Sequence, residues 1–486
     1  MAGAWLVLKF GGTSVSGTQQ WEVIAKLAGQ RLDEGNRVVL VCSAVSGITD
    51  ALQALADHAG DHDPAQVEAI RQRHQQLARD LEVDADDLID QAVDRITQLL
   101  SRIASAPDDV DPDNDDKYSL ITSLMSHGEW LSTRIGERYL ARGMTVEWVD
   151  ARAALVALPE PEINGRRSWL SARCSSEADR KLSEEWQTKS RLLITQGFLA
   201  AHPSGGTALL GRGGSDTSAA LLAGRLGARH IEIWTDVPGL FSADPRVLPQ
   251  ARLLRNLSYS EALEMAASGA KVVHPRCIRA AADNGIPVQV RDLGRPEFPG
   301  TTIADIGITG AHSVEGIRAV CCQPSMAVLL LKNLDTREHV GFLAWVFAQI
   351  SAEGLSVDQV ATSETTTTVA LNRISNQLDE KTLQKIAARL KRRCAVTVYP
   401  HCSGINLVGR GARVALKHID PGSGFFATHP LLMLSQSAND LCISLLLQAG
   451  DASELLGVLH GALVENNPPA ADDDGVFGPT WREIRD

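Results

Sequence analysis

Through the first 300 residues, short runs of β-branched and other apolar residues alternate with longer stretches whose apolar positions recur every three or four residues. Residues 5–10 (WLVLKF) and 37–43 (RVVLVCS) read as buried strands, and 18–34 between them reads as a helix. Strand, glycine turn, helix, strand is a βαβ unit, which predicts a central, mostly parallel sheet sandwiched between helices. Residues 191–195, 207–210, 231–234 and 287–290 read as further strands, with helices at 217–226 and 259–267. From 50 to 142 the pattern is almost wholly helical and polar-rich, an excursion hanging off the sheet.

After about residue 302 the texture changes. Strands at 326–331, 355–363, 366–371 and 395–399 enclose helices at 337–353 and 379–392. A second round has strands at 405–408, 431–436 and 441–447 and a helix at 453–465. Two βαββαβ-like rounds in succession predict two ferredoxin-like units. The expected organisation is therefore a domain at 1–305, small domains at 306–396 and 397–466, and a linker-like tail at 467–486. That tail ends on an unusually specific VFGPTW at 476–481.

Composition narrows the function. The 47 lysines and arginines against 59 acidic residues leave a net charge of −12, which argues against nucleic acid or anionic membrane as partner. Eight scattered cysteines with no C-x-x-C pair suit reduced thiols better than disulfides or a zinc site. The N-terminal apolar run is too short for a signal peptide, and no stretch approaches 18 uninterrupted apolar residues. A cytoplasmic protein is expected. The acidic run at 108–116 reads as a solvated loop rather than a metal site.

Two glycine clusters carry the candidate chemistry. Lys9-Phe-Gly11-Gly12-Thr13 follows the first strand, where backbone N–H groups and a lysine could converge on a phosphate. Alone, a Gly-Gly pair favours a tight turn with a surface lysine. The second cluster, Gly211-Arg212-Gly213-Gly214-Ser215-Asp216, leads into a helix whose N-terminus attracts anions. Two such loops in one α/β domain suggest a phosphate held between them. Neither fits G-x-x-x-x-G-K-[ST] or G-x-G-x-x-G. Ser43, Thr49, Glu129, Thr235, Asp236, Arg246 and Lys271 are weaker candidates, each more readily read singly as a cap, turn or surface residue.

Together these segments resemble aspartate kinase, of the amino-acid kinase superfamily. The resemblance rests on KFGGTSV at 9–15, VCSAVSGITD at 41–50, SHGEWLS at 126–132 and GRGGSDTSA at 211–219. It continues through WTDVPGLFSADPR at 234–246, GAKVVHP at 269–275, GFLAWVF at 341–347 and SVDQVATSE at 356–364. Within that family the chain is most similar to the kinase portion of bifunctional aspartate kinase/diaminopimelate decarboxylases, whose second part would follow the tail. The resemblance implies transfer of phosphate from ATP to the β-carboxylate of L-aspartate, the entry to lysine, threonine and methionine synthesis. A carboxylate with a pKa of about 3.9 is already ionised at neutral pH, so no general base is needed.

Carried over, Lys9 would stabilise the phosphoryl group and Asp216 would orient Lys9. Gly11 and Gly12 would donate backbone N–H groups to ATP, and Thr235, Asp236, Phe241, Arg246 and Lys271 would line its site. Phe241 stands where tyrosine is common in the family. Arg212, Glu129, Ser43, Thr49, Ser215, Gly213 and Gly214 would form the aspartate pocket. Mg²⁺ is expected, held by phosphates and water rather than by a protein cage. The C-terminal rounds resemble paired ACT domains, with an effector pocket at Thr336, Phe342, Leu343, Val357, Asp358 and Ser363. Feedback by lysine, or secondly threonine, and a homodimer or larger assembly are implied. Two alternatives stay open: another acyl-phosphate-forming amino-acid kinase, and a catalytically silent sensor of the same fold.

Overall fold

The structure, a computed structural model, describes residues 3–106, 115–159, 165–270, 272–305, 315–332, 340–415, 431–448, 452–465 and 475–485. Lys271, Thr336 and most of the acidic run lie outside the described residues. The chain divides into two compact units. The first comprises Met1–Leu240, Arg255–Tyr259 and Lys271–Thr309; the second comprises Phe241–Leu254, Ser260–Ala270 and Gly310–Asp486.

The first unit is an α/β sandwich. Its strands are β1 (Trp5–Phe10), β2 (Arg37–Cys42), β3 (Val146–Trp148), β4 (Leu192–Gln196), β5 (Leu199–Ala201), β6 (Thr207–Leu209) and β7 (His230–Thr235). After β8 (Arg252–Leu254), which belongs to the second unit, come β9 (Asn256–Ser258), β10 (Val288–Asp292) and β11 (Thr301–Ala304). Eight of them form one sheet in the order β3-β4-β2-β1-β7-β10-β11-β9, parallel except at β10–β11. Every residue of β2 and β4 is buried, as continuous apolar strands under two helical layers require. Helix Thr18–Asp33 turns Trp21, Ile24, Leu27 and Ala28 onto Leu6, Leu8 and Phe10, the alternate residues of β1. Among the described residues the expected excursion comprises the helices Ile48–Asp57, Pro64–Asp80, Asp86–Ser105, Asp115–Met125 and His127–Leu140. The parallel strands β1, β2, β4, β7 and β10 all end on one edge of the sheet, where open α/β sheets place ligands.

The second unit holds a six-stranded antiparallel sheet. Its strands are β12 (Gly316–Lys332), β13 (Gln359–Thr362), β14 (Thr366–Asn372), β15 (Ala395–Arg410), β16 (Leu431–Gln436) and β17 (Cys442–Gln448), in the order β13-β14-β12-β15-β17-β16. Both expected rounds are present, but they are nested rather than consecutive. The first half of β12 pairs with the second half of β15, and the second half of β12 with the first half of β15. The round built on 326–402 is thus inserted after the opening strand of the other. The boundary expected at 396/397 falls inside a continuous strand, and 316–323 supplies a strand that the sequence did not suggest. Pro324 and Pro400 hid this continuity. The strands survive both prolines through register shifts between Gln323 and Val328, with Ser325 at φ +63°.

The tail also differs from the expected linker. Phe477–Thr480 forms β18, which pairs antiparallel with β8, and Trp481–Arg485 adds a helical turn. Residues 241–254 and 260–270 go with the second unit although the catalytic domain was expected to run unbroken to 305. The backbone N–H of Val320 donates to Ser242 (2.7 Å), and the buried Ser242 hydroxyl lies 2.7 Å from Nε2 of the buried His460.

Candidate active site

At the strand-end edge of the first unit, three helices begin at a glycine that offers no side-chain cap. Gly17 precedes Thr18–Asp33, Gly47 precedes Ile48–Asp57 and Gly213 precedes Gly214–Leu226. Elsewhere in the unit Asp63, Asp150, Asp179 and His274 cap helices with their own side chains. An uncapped N-terminus leaves N–H groups available to an anion.

The two glycine clusters meet through Lys9 and Asp216. Lys9 is on β1 between Val41 and Ile233 of the neighbouring strands, and Asp216 is in the first turn of Gly214–Leu226. Their side chains form an ion pair at 2.5 Å, each only 12% exposed, outside aligned hydrogen-bond geometry. Gly213 must be glycine twice over: φ is +63°, and a Cβ would sit 2.3 Å from the His274 ring. A Cβ on Gly12 would reach 2.9 Å from the Ala44 carbonyl, so the first loop lies directly against 44–46.

Of the residues expected on the amino-acid side, two meet directly. Ser43 donates to Ser215 at 2.9 Å, joining the end of β2 to the second glycine cluster. Glu129, at the start of His127–Leu140, is buried; N–H groups of Ala44 and Glu129 itself face its carboxylate, and Oε2 has no partner. Burial pushes its pKa up to about 8, with those N–H groups opposing. Thr49 is half-buried in the first turn of Ile48–Asp57. Arg212 is exposed and makes no ion pair among the described residues. A buried acid lacking a cation and an exposed arginine lacking an anion are complementary to a zwitterion.

On the nucleotide side, Thr235 ends β7 and donates to Asp236 at 3.1 Å. Arg246 and Phe241 fall in the second unit. Arg246 lies along the Asp244 carboxylate (3.0 Å). Phe241, expected to line the ATP site, is buried edge-to-face on Trp481 with centroids 5.4 Å apart. Within the effector set of the second unit, Phe342 is in the core with Val346 and Ile350, and Val357 packs partly against it. Leu343 is exposed, Asp358 accepts from the Asn372 N–H (2.6 Å), and Ser363 shares a hydrogen bond with Thr366 (2.7 Å).

The sequence reading missed Phe198 and His274. Phe198 adopts φ +70° just after β4 and lies against Gly214, where a Cβ would approach its ring to 2.4 Å. Its position after the strand end, in Gln196-Gly-Phe198, was the available signal. His274 caps Pro275–Asp283 by accepting from the Arg276 N–H, and burial lowers its pKa while Asp216 opposes.

Two glycine loops without side-chain caps thus meet through a lysine–aspartate pair on an α/β sandwich. The amino acid kinase family model matches residues 4–292, and the chain belongs to that family. Lysine-sensitive aspartokinase 3 of Escherichia coli (strain K12) is 30% identical over 469 residues, covering 95% of this chain and 99% of that protein. E. coli aspartokinase III in complex with aspartate and ADP matches with a TM-score of 0.76 and 29% identity, over 94% of this chain and 99% of that one. The same enzyme with lysine and aspartate matches at 0.74 and 28%, over the same shares. No helix among the described residues is long and apolar enough to cross a membrane.

Proposed function

We propose that the chain is an aspartate kinase, converting ATP and L-aspartate to ADP and 4-phospho-L-aspartate. The observation that carries the reading is the Lys9–Asp216 pair joining two glycine loops, together with a buried Glu129 whose Oε2 has no partner and an exposed Arg212 with no ion pair among the described residues. Similarity to the E. coli enzyme, whose structure is with aspartate and ADP, supports the substrate pair.

In the reaction, an ionised β-carboxylate oxygen of aspartate attacks the γ-phosphorus. The bond from that phosphorus to the β–γ bridging oxygen breaks, and its electron pair leaves on ADP. Nothing has to remove a proton first, so the site's work is alignment and charge dispersal. Lys9 and the N–H groups of Gly11 and Gly12 meet the charge spreading over the phosphoryl oxygens, and Asp216 fixes the Lys9 ammonium. Arg212 grips the α-carboxylate with its planar fork, while Glu129 receives the ammonium. Ser43, Thr49 and Ser215 close the pocket with Gly213 and Gly214. Thr235, Asp236, Arg246 and Lys271 serve the nucleotide.

Among the described residues no group of three or more His, Cys, Asp or Glu side chains converges as a metal cage. Mg²⁺ would arrive on ATP with phosphate oxygens and water as its main ligands, and would neutralise phosphate charge. The nested rounds of the second unit act as the sensor, with lysine as effector, and support a homo-oligomer; similarity to the lysine-bound E. coli structure favours lysine over threonine.

Hydroxylamine trapping of the acyl phosphate, with ATP, Mg²⁺ and a panel of amino acids, tests the reading. Hydroxamate is expected with aspartate alone. Product from glutamate but not aspartate would assign another amino-acid kinase, and no product would leave a sensor.

A further inference from the structure

Residues 241–254 form a loop closed at its base, where the Ser242 N–H donates to the Arg252 carbonyl (2.9 Å) and the Arg252 N–H to the Ser242 hydroxyl (2.8 Å). At the far end Asp244 accepts from the Arg246 N–H (3.0 Å), and the Arg246 side chain is 80% exposed. The C-terminal segment runs along the returning limb. Phe477 stands opposite Leu254 and Thr480 opposite Arg252. The N–H groups of Trp481 and Arg482 donate to the carbonyls of Ala251 (2.9 Å) and Pro249 (3.1 Å). Arg252 donates from Nε to the Gly478 carbonyl (3.1 Å) while its guanidinium covers the Phe477 ring at 5.1 Å. The outgoing limb is held as well, because Trp481 meets Phe241 edge-to-face. One segment therefore grips both limbs of the loop that presents Arg246.

We propose that β18 and the turn after it are a strap that positions the nucleotide loop, with Trp481 as the positioning residue acting through Phe241. The proposal rests on the aspartate kinase reading, which puts Arg246 at the nucleotide. Beyond its base the loop holds itself by short-range turns, with the Val247 and Leu248 N–H groups donating to the Asp244 carbonyl (3.0 and 2.9 Å) and the Ala251 N–H to the Leu248 carbonyl (2.9 Å); these shape the turn but leave its limbs to be ordered when the tip binds. The strap orders it beforehand. Losing the strap therefore weakens ATP binding, while the phosphoryl-transfer step and the aspartate pocket, built on the first unit, keep their parameters.

The test is steady-state kinetics of the full chain in both substrates for Trp481→Leu, Trp481→Phe and Phe477→Leu. Loss of the edge-to-face pair is expected to raise KM for ATP about fivefold to tenfold in Trp481→Leu, within the roughly twofold to thirteenfold that such ring pairs supply. The kcat and KM for aspartate should stay within about twofold, and Trp481→Phe should stay near wild type because it keeps a ring pair. Phe477→Leu, which removes the surface under Arg252, should move KM for ATP in the same direction as Trp481→Leu. A general loss of folded protein lowers kcat without moving either KM, so that pattern, equal shifts in both KM values, or an unmoved KM for ATP would each overturn the proposal. If wild type turns over no aspartate, the parent reading fails instead. ADP affinity by calorimetry then makes the same comparison without turnover, with weaker binding in Trp481→Leu than in Trp481→Phe expected and equal binding overturning the strap.

Discussion

Glu129 makes a quantitative prediction, because its carboxyl is buried without a cation until substrate arrives. Its pKa stands near 8 against an ordinary 4.5, with desolvation as the main cause. The aspartate ammonium favours the ionised form, so substrate binds the deprotonated enzyme, and apparent affinity falls with the fraction ionised. That fraction is about 3% at pH 6.5, about 9% at pH 7 and about 75% at pH 8.5 for a pKa of about 8. KM for aspartate should therefore fall about 20-fold to 25-fold between pH 6.5 and 8.5, with a slope approaching tenfold per pH unit at the acid end. KM for ATP should not follow if Glu129 serves the amino acid as proposed. The assay is steady-state kinetics across that range at constant ionic strength, in wild type and Glu129→Gln. The variant should show a high KM without the slope. A flat wild-type profile, or one that rises with pH, would refute the assignment of Glu129 to the ammonium. Stability follows the same linkage with the opposite sense. The folded pKa lies above the unfolded one, so the contribution to stability is complete below about 4.5 and is lost as pH rises through about 8. Without substrate, Tm should decline over that window in wild type more than in Glu129→Gln.

Three further outcomes follow from the site. Lys9→Ala should cut kcat by about 10²–10³-fold, the loss typical of a single donor aimed at transition-state charge, with an unchanged circular dichroism spectrum; near-normal turnover would remove its role. Arg212→Lys keeps the charge but loses the two-pronged grip on a carboxylate, so KM for aspartate should rise about tenfold or more while KM for ATP holds. Lysine should inhibit wild type in a titration, and Asp358→Asn should weaken that inhibition about tenfold if its carboxylate holds the effector's charged amine; equal inhibition of both would place the effector elsewhere.

The first unit was legible because its signals are local. Five apolar residues among the six of β1, the glycines behind them and the 3.6-residue stripe of Trp21, Ile24 and Leu27 each point to the same βαβ unit. Part of the candidate site was legible for a similar reason, since a strand end and a helix start bring Lys9 to Asp216 and Ser43 to Ser215. Pairing between distant segments was not. Nothing near Pro324 or Pro400 announces that β12 and β15 run through them, because the bulges that admit a proline depend on the partner strand. The tail reads as a linker because 468–474 is rich in proline and aspartate, while its order comes from β8, more than 220 residues earlier. The unpaired state of Glu129 and the φ of Phe198 are tertiary facts with no signature of their own.

The most direct measurement is a crystal structure of the protein with ADP, L-aspartate and a planar fluoride mimic of the transferring phosphoryl group. The mimic should lie against the Lys9 ammonium, between Gly11-Gly12 and the start of Gly214–Leu226, with the aspartate β-carboxylate in line behind it. A mimic seated away from both glycine loops, or an aspartate whose ammonium lies far from Glu129, would contradict the proposed function.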